Sequence, residues 1–339
     1  MLELKEIGKQ IARLRKENGY TGEKLAEILD ISPQAISKWE NGKCLPETSL
    51  LPALAKALDC SIDTLLDPTE LTYKMEDNEK VVKFYETVNE DVRLETQTKE
   101  FVRSKNIISR YLFDNNMEIA DIAGGTGPYS FWLAEKGHRV HLLDLTPKHI
   151  DIAKRKSRAN NIPLASCICA DARELPYENE SMDLVLLMGP LYHLRTKESR
   201  IKCLTEAFRV LKPGGHVICT VINRYTALVS TIKFNLFHIF DFDTLEKVMR
   251  TGMADGFNLP HAYSHTRCEI TAELSYAGFE DVNTLAVEGI AHAFGDHSLP
   301  KDEQEAERLL KCVELTESIP ELIGVSRNIM AVGKKNAEV

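Results

Sequence analysis

The segment Glu118-Ile119-Ala120-Asp121-Ile122-Ala123-Gly124-Gly125-Thr126-Gly127 sets a carboxylate and a glycine cluster at the end of a short apolar run. Glycines let the backbone turn sharply and approach a ligand closely at the carboxyl edge of a parallel sheet. Two more acids follow similar runs: Asp144, 17 residues beyond Gly127, and Asp171 in Asp171-Ala172. A carboxylate at the first position can accept hydrogen bonds from two ribose hydroxyls and would repel a 2′-phosphate. Each acid also has a plainer reading, Asp144 as a cap on a helix starting near Pro147 and Asp171 as an ordinary turn residue. Further on, Met188-Gly189-Pro190-Leu191-Tyr192-His193 offers a phenol and an imidazole. An imidazole's intrinsic pKa suits a general base, and a structural hydrogen bond under the sheet is the competing role for His193.

A dinucleotide fingerprint wants a third small residue three positions after the second glycine. Counting from Gly125 and Gly127 that position is Ser130, an imperfect match, and the Gly-Lys-Ser/Thr of a P-loop is absent. His261, His265 and Cys268, with His292 and His297 beyond, have spacings open to metal ligation. Pro260 and Gly256 point instead to a loop, where these residues would line a pocket, and we assign no metal. Cys167 and Cys169 alternate on a predicted buried strand and read as core.

The elements that must position these groups alternate. Strands are predicted at Glu118–Ile122, Val140–Leu143, Ala165–Cys169, Asp183–Leu187 and His216–Ile222, with helices from Tyr129, Pro147 and Lys197 between them. A last β/α/β-like piece comprises Asp281–Val287, Glu303–Leu315 and Asn328–Val332. This alternation predicts an α/β fold, a Rossmann-like, doubly wound, seven-stranded and mostly parallel sheet covered on both faces. Residues 81–335 form this domain, helical from Val81 to Leu112. A helical insertion over about 224–297 interrupts it, with an apolar run of Phe234, Leu236, Phe237, Ile239, Phe240 and Phe242. Residues 68–80, opened by Asp67-Pro68, read as a polar linker.

Residues 1–67 form a small all-α domain. Ile7, Ile11 and Leu14 share a face, Thr21 caps a second helix, and Ser32-Pro33 starts a third that Gly42 ends. Thr48 to Leu58 and Ile62 to Leu66 complete the set. The domain resembles the phage-repressor type of helix-turn-helix. The likeness rests on Ile11-Ala12-Arg13-Leu14-Arg15, Lys24-Leu25-Ala26, Ile31-Ser32, Ala35 to Gly42, Pro46 and Leu54 to Leu58. It implies double-stranded DNA as a partner and a recognition helix with Ile36 and Trp39 facing inward. Ser32, Gln34, Ala35, Ser37 and Lys38 are then the DNA-facing set, Gln34 suited to adenine and Lys38 to guanine or phosphate. Through Leu66, nine basic side chains stand against ten acidic ones. A single copy should therefore bind weakly and a homodimer better. A packing module without DNA contact is the other reading.

Residues 81–335 resemble the class I S-adenosylmethionine-dependent methyltransferases. Asp121, Gly124, Gly125 and Gly127 match that family's first motif, with Ala123 in place of its usual first glycine. Asp144, Asp171-Ala172, the strand Asp183–Leu187 and the turn Leu211-Lys212-Pro213-Gly214-Gly215 follow in order. The resemblance implies S-adenosylmethionine as cofactor. Its binding residues would be Asp121, Ala123, Gly124, Gly125, Gly127, Tyr129, Asp144, Leu145, Asp171, Ala172 and Met188. A segment similar to a lid of bacterial small-molecule methyltransferases appears upstream as Phe84-Tyr85 and Glu90-Asp91-Val92-Arg93-Leu94. Arg93 would bind a carboxylate of cofactor or substrate, and His193, Tyr192 and Tyr85 are the catalytic candidates. The Asn/Asp-Pro-Pro-aromatic motif of DNA amino-methyltransferases is absent after the fourth strand, as is the cysteine of carbon-5 enzymes.

Composition agrees with a globular chain: 339 residues, 43% hydrophobic and 27% charged, with eight cysteines in no framework. These features, with no long apolar run, predict a cytoplasmic protein without a membrane span. The net charge of −9 argues against general polyanion binding. The expected protein is a methyltransferase acting on a small-molecule acceptor, joined to a DNA-binding domain. The alternative is a transcription regulator whose methyltransferase fold senses S-adenosylmethionine or a metabolite without turnover.

Overall fold

The computed structural model describes residues 4–58, 60, 62, 65, 69–87, 98–237, 242–254, 262–294 and 298–336. The chain divides into two compact units, Met1–Asn78 and Glu79–Val339.

The first unit contains α1 (Leu4–Glu17), α2 (Gly22–Ile28), α3 (Pro33–Glu40) and α4 (Leu51–Ala57). Thr21 and Ser32 begin α2 and α3 as N-caps, accepting from the N–H groups of Lys24 and Ala35, which satisfies donors that a helix start leaves free. Ile7, Ile11, Leu14, Leu25, Ala26, Ile36, Trp39, Leu54 and Leu58 form the core. The Arg15 guanidinium grips Glu40 through Nε at 2.6 Å and Nη2 at 3.1 Å, and donates to the Tyr20 carbonyl at 2.7 Å. Gly8 lets α1 lie against the end of α3. A Cβ there would sit 2.3 Å from the Trp39 carbonyl oxygen. Of the predicted fifth helix, Ile62–Leu66, only Ile62 and Leu65 lie within the described residues.

Helix α5 (Thr69–Thr87) occupies most of the stretch expected as linker. Polar composition did not mark it because helix propensity needs no apolar face. In the second unit, α6 (Thr98–Ser109) is followed by β1 (Glu118–Ile122), α7 (Pro128–Glu135), β2 (Arg139–Asp144), α8 (Pro147–Asn160), β3 (Ser166–Cys169) and β4 (Met182–Leu187). Then come α9 (Pro190–His193), α10 (Lys197–Val210) and β5 (Leu211–Ile222). The sheet order is β3-β2-β1-β4-β5-β9-β8, with β8 at Glu280–Ala286 and β9 at Asn328–Lys334. Strands β1 to β5 pair in parallel, while β9 is antiparallel to both β5 and β8. The seven-stranded, mostly parallel Rossmann-like sheet is thus present. One face packs on Leu204 and Ala207 of α10 and Ile270 and Leu274 further on. The other packs on Ile107 and Ile108 of α6 and Leu133 of α7.

Two details differ from expectation. The Leu211–Gly215 segment is the start of β5 rather than a turn before it. Lys212 there pairs with Asp183 at 2.8 Å, and Asp183 in turn accepts from the Glu118 N–H. The insertion is also narrower than 224–297. Helices α11 (Thr226–Lys233) and α12 (Phe242–Thr251) and the short hairpin β6–β7 (Met253–Ala254, Ala262–Tyr263) belong to it. Beyond them α13 (Arg267–Tyr276), capped by a Thr266/Glu269 capping box, has returned to the sheet and leads into β8. The chain closes with α14 (Glu303–Thr316), α15 (Pro320–Ile323) and β9. Among the described residues no helix is long and apolar enough to cross a membrane.

Replacing Gly8 by alanine should push α1 from α3 and destabilise the first unit by about 1–3 kcal/mol, the usual cost of overpacking. Faster amide exchange over residues 7–58 in the variant, with β1–β5 unaffected, is the expected readout.

Candidate active site

Strand β1 stands where the strand order reverses, with β2 on one side and β4 on the other. In open α/β sheets ligands bind beyond the carboxyl ends of the strands at such a switch point. The loop Ala123–Gly127 leaves β1 there. Gly125 and Gly127 take φ of 59° and 90°, and Gly127 is the N-cap of α7. Ala123 also has a positive φ, 57°. A side chain at that conformation costs about 1–2 kcal/mol, which is why glycine is the natural residue at the position it occupies. Gly124 has no room for a side chain, since a Cβ would lie 2.4 Å from Leu142 Cδ1 and 2.6 Å from Asp121 Oδ2.

Two carboxylates flank the loop. Asp121 is fully buried, takes a hydrogen bond from Ser130 Oγ at 2.6 Å on Oδ2, and has no partner at Oδ1. Burial raises its pKa from 3.8 to about 6; Ser130 opposes this and the negative charge of Asp144 adds to it. Asp144 ends β2 and is nearly buried. Its Oδ2 accepts from Gly125 N–H at 2.9 Å, and its Oδ1 from Thr146 N–H at 2.8 Å and His149 Nδ1 at 3.2 Å. The N-cap of α8 is Thr146, not Asp144; Asp144 instead closes the turn before it while its other oxygen bonds the glycine loop.

The catalytic candidates converge on this edge. Tyr85 OH and His193 Nε2 are 2.8 Å apart, and the Tyr85 ring stands edge-on to both His193 and His149. Tyr192 packs against His193 with ring centroids 4.6 Å apart, and its hydroxyl lies near Gly189. Burial brings the His193 pKa from 6.5 down to about 4, against the opposing pull of Asp144, so the ring is neutral at pH 7. Its Nδ1 is shielded and has no hydrogen-bond partner. Residues just beyond His193 are held from below: buried Arg200 donates to the Leu194 and Arg195 carbonyls at 3.1 and 2.8 Å and is clamped by Glu273 of α13.

Other expected residues are placed less directly. Asp171 ends β3's loop with its carboxylate gripped by Arg173, through Nε at 2.9 Å and through Nη2. Ala172 is buried in the core of one face. Leu145 is half-buried and its carbonyl accepts from Cys169 Sγ. Met188 receives the Thr220 hydroxyl on its sulfur at 3.5 Å. Tyr129 is buried in the α6/α7 face against Phe101. Arg93, with the rest of Glu90–Leu94, lies outside the described residues, as do His261 and His297. His265 is buried and bonds Glu273 at 3.3 Å, while Cys268 is exposed. Sequence reasoning overlooked His149. The signal was available, because Thr146-Pro147 starts α8 and puts residue 149 in its first turn, facing back toward Asp144.

On α3, Gln34, Ser37 and Lys38 are exposed opposite Ile36 and Trp39. Ala35 differs from expectation: it is half-buried against the core, because it lies one helical turn before Trp39 on the same flank. Ser32 spends its hydroxyl on the cap, and Ser37 receives Asn41.

Residues 120–219 match the family described as a methyltransferase domain, and residues 11–65 match a helix-turn-helix family. The chain therefore carries a methyltransferase domain and a helix-turn-helix domain. The ubiquinone/menaquinone biosynthesis C-methyltransferase UbiE of Bartonella quintana is 32% identical over 109 residues, 31% of this chain and 41% of that protein. The demethylmenaquinone methyltransferase of Lactococcus lactis subsp. lactis is 32% identical over 124 residues, 36% of this chain and 48% of that one. The matches thus span about half the length of these curated relatives. A chain in the complex of the Haloferax volcanii Trm112 methyltransferase activator with a methyltransferase is 16% identical at a TM-score of 0.50. The match covers 77% of this chain and 98% of that one, a likeness of fold.

The raised pKa of Asp121 has a sign that can be tested. The folded state holds this proton more tightly than the unfolded one, so folding loses up to about 3 kcal/mol as pH rises from about 4 through about 6. Asp121→Asn should therefore gain stability over wild type across that range and hold the gain above it. Urea unfolding at several pH values checks this; a difference independent of pH would show that Asp121 titrates normally.

Proposed function

We propose that this protein is an S-adenosylmethionine-dependent methyltransferase of small molecules that also binds DNA through its first domain. The reading rests on one convergence: at the switch point, a glycine loop with an unpartnered buried carboxylate oxygen meets the Tyr85–His193 hydrogen bond. The residues fit the cofactor. Gly125 leaves open space, the nearest atom to a Cβ built there being His149 Nδ1 at 3.9 Å, Asp121 Oδ1 awaits a donor, and Asp144 bonds the loop. The names of the curated relatives, both methyltransferases of quinone biosynthesis, support a small organic acceptor.

When bound, S-adenosylmethionine supplies a methyl group on a positively charged sulfur. The chain's own task is to orient the acceptor atom and remove its proton. His193 is suited to receive that proton, either at Nε2 through Tyr85 or at the shielded Nδ1. Burial keeps it neutral at pH 7 but weakens it as a base, its pKa standing at about 4. Tyr192 lines the acceptor side, and Arg200 holds the segment beyond His193 in place.

Exposed Gln34 and Lys38 support DNA reading by α3, with Gln34 toward adenine and Lys38 toward guanine or phosphate. The near-neutral charge of the domain favours binding by two copies on a two-fold site.

Two experiments test these readings. With methyl-labelled S-adenosylmethionine and a metabolite extract, the full chain should label at least one small molecule. His193→Gln should cut kcat by roughly 10²–10⁴-fold without weakening S-adenosylhomocysteine binding. Tight cofactor binding with no labelled product would instead support a sensor. For DNA, footprinting of the protein's own promoter should show salt-sensitive protection that Gln34→Ala with Lys38→Ala abolishes; undiminished protection in the double variant rules out α3 as the reader.

A further inference from the structure

The carboxylate of Asp144 is more fully used than a ribose-binding acid can afford. Each carboxylate oxygen offers about two acceptor sites. Oδ1 already accepts from Thr146 N–H and His149 Nδ1, and Oδ2 from Gly125 N–H. About one acceptor site remains, on Oδ2, whereas a ribose presents two vicinal hydroxyls. A second acceptor has to come from elsewhere.

His149 supplies one. Its side chain is 4% exposed. The carboxylate takes the Nδ1 proton, which leaves Nε2 as a bare acceptor. That atom is buried and has no hydrogen-bond partner. A buried polar atom left unmatched is costly, and such atoms mark places where a ligand completes the bonding. The ring also borders the cradle: His149 Nδ1 is the nearest atom to a Cβ built on Gly125, at 3.9 Å, and the Tyr85 ring stands edge-on at 5.5 Å.

We propose that His149 is a diol-binding residue, its Nε2 accepting one ribose hydroxyl while Asp144 Oδ2 accepts the other. The assignment rests on the nucleoside cofactor proposed above and adds to it a specificity-determining side chain. Asp144 then has two roles, one direct bond to the ligand and one to His149 that sets its tautomer. His149 and Asp144 discriminate together for a ligand with both hydroxyls free, since a phosphate on either would meet a carboxylate or an imidazole with no proton to offer.

Calorimetry on the full chain with S-adenosylhomocysteine and its 2′-deoxy and 3′-deoxy forms tests this. Wild type should bind both deoxy forms at least several-fold more weakly than the parent. His149→Phe, which keeps a ring but no acceptor, should bind the parent roughly tenfold more weakly and should no longer distinguish it from one of the two deoxy forms. His149→Gln, whose amide oxygen can accept, should recover part of that loss. Circular dichroism shows that each variant is folded, and His149→Gln stands as the test should the phenylalanine variant unfold. If the phenylalanine variant, or in its place the glutamine variant, discriminates among the three ligands as wild type does and binds the parent as tightly, His149 only packs and the proposal is wrong. Wild type that binds none of the three removes the nucleoside reading itself, an outcome distinct from the first.

Discussion

Two strand ends and a helix start depend on one carboxylate. Asp144 closes β2, and its side chain collects the N–H of Gly125 from the β1 loop, the N–H of Thr146 at the head of α8, and the imidazole of His149. Its main-chain oxygen receives Ala170 beyond β3. A loop of glycines has little stiffness of its own, because glycine gives up more backbone entropy than any other residue on becoming ordered. Charge-assisted bonds to a buried carboxylate supply the missing rigidity. The loop can stay rich in glycine, and hence open to a close ligand, because a residue outside the loop fixes its course.

That solution concentrates negative charge. Asp121 and Asp144 lie near enough for one to raise the pKa of the other, and among the described residues neither pairs with a lysine or arginine. The nearby Lys156 reaches Thr126 instead. A fold seeking only stability would neutralise such a pair, since unpaired buried charge is expensive. The arrangement is complementary to a ligand that brings positive charge and hydroxyl donors of its own. Under the proposed chemistry Asp121 and Asp144 would favour a positively charged cofactor over a product that lacks the charge. The same field would favour exchange of product for fresh cofactor.

Much of this was legible in the chain because the signals were local and periodic. The run Glu118–Ile122 ending in glycines, and the run from Arg139 to Asp144, state their strands and their site acids within a few residues. The same holds for Ser32-Pro33 and the buried Ile36 and Trp39. What escaped depends on pairing across distance. Nothing near Asp183 announces that Lys212 binds it, and nothing near Arg200 points to Glu273. His149 is an intermediate case, five residues from Asp144 in sequence but meaningful only once the turn of α8 brings its ring back. The first part of helix α5, up to residue 80, was missed because a polar stretch read as linker has no apolar stripe to reveal it. Ala35, counted among the DNA-facing residues, lies at the boundary, half-buried beside Trp39 one turn on.

The insertion is harder to read from the chain than the glycine loop, because the residues that hold it are dispersed in sequence. Its attachment is ionic: Arg224 binds Glu269 and the Ser264 carbonyl, Arg200 stacks on Tyr263 at 3.7 Å, and Glu273 joins Arg200 to His265. Burial would push the Glu273 carboxyl up, but the bonds from His265 and Arg200 outweigh it and hold its pKa at about 2. Such a network is intolerant of partial loss, because removing one member strands another charge in the interior. It fixes the hairpin and the segment after His193 in one arrangement, independently of the apolar side chains around them. Tyr225, Leu228 and Ile232, at least about a third exposed at the start of and along α11, take no part in that anchoring.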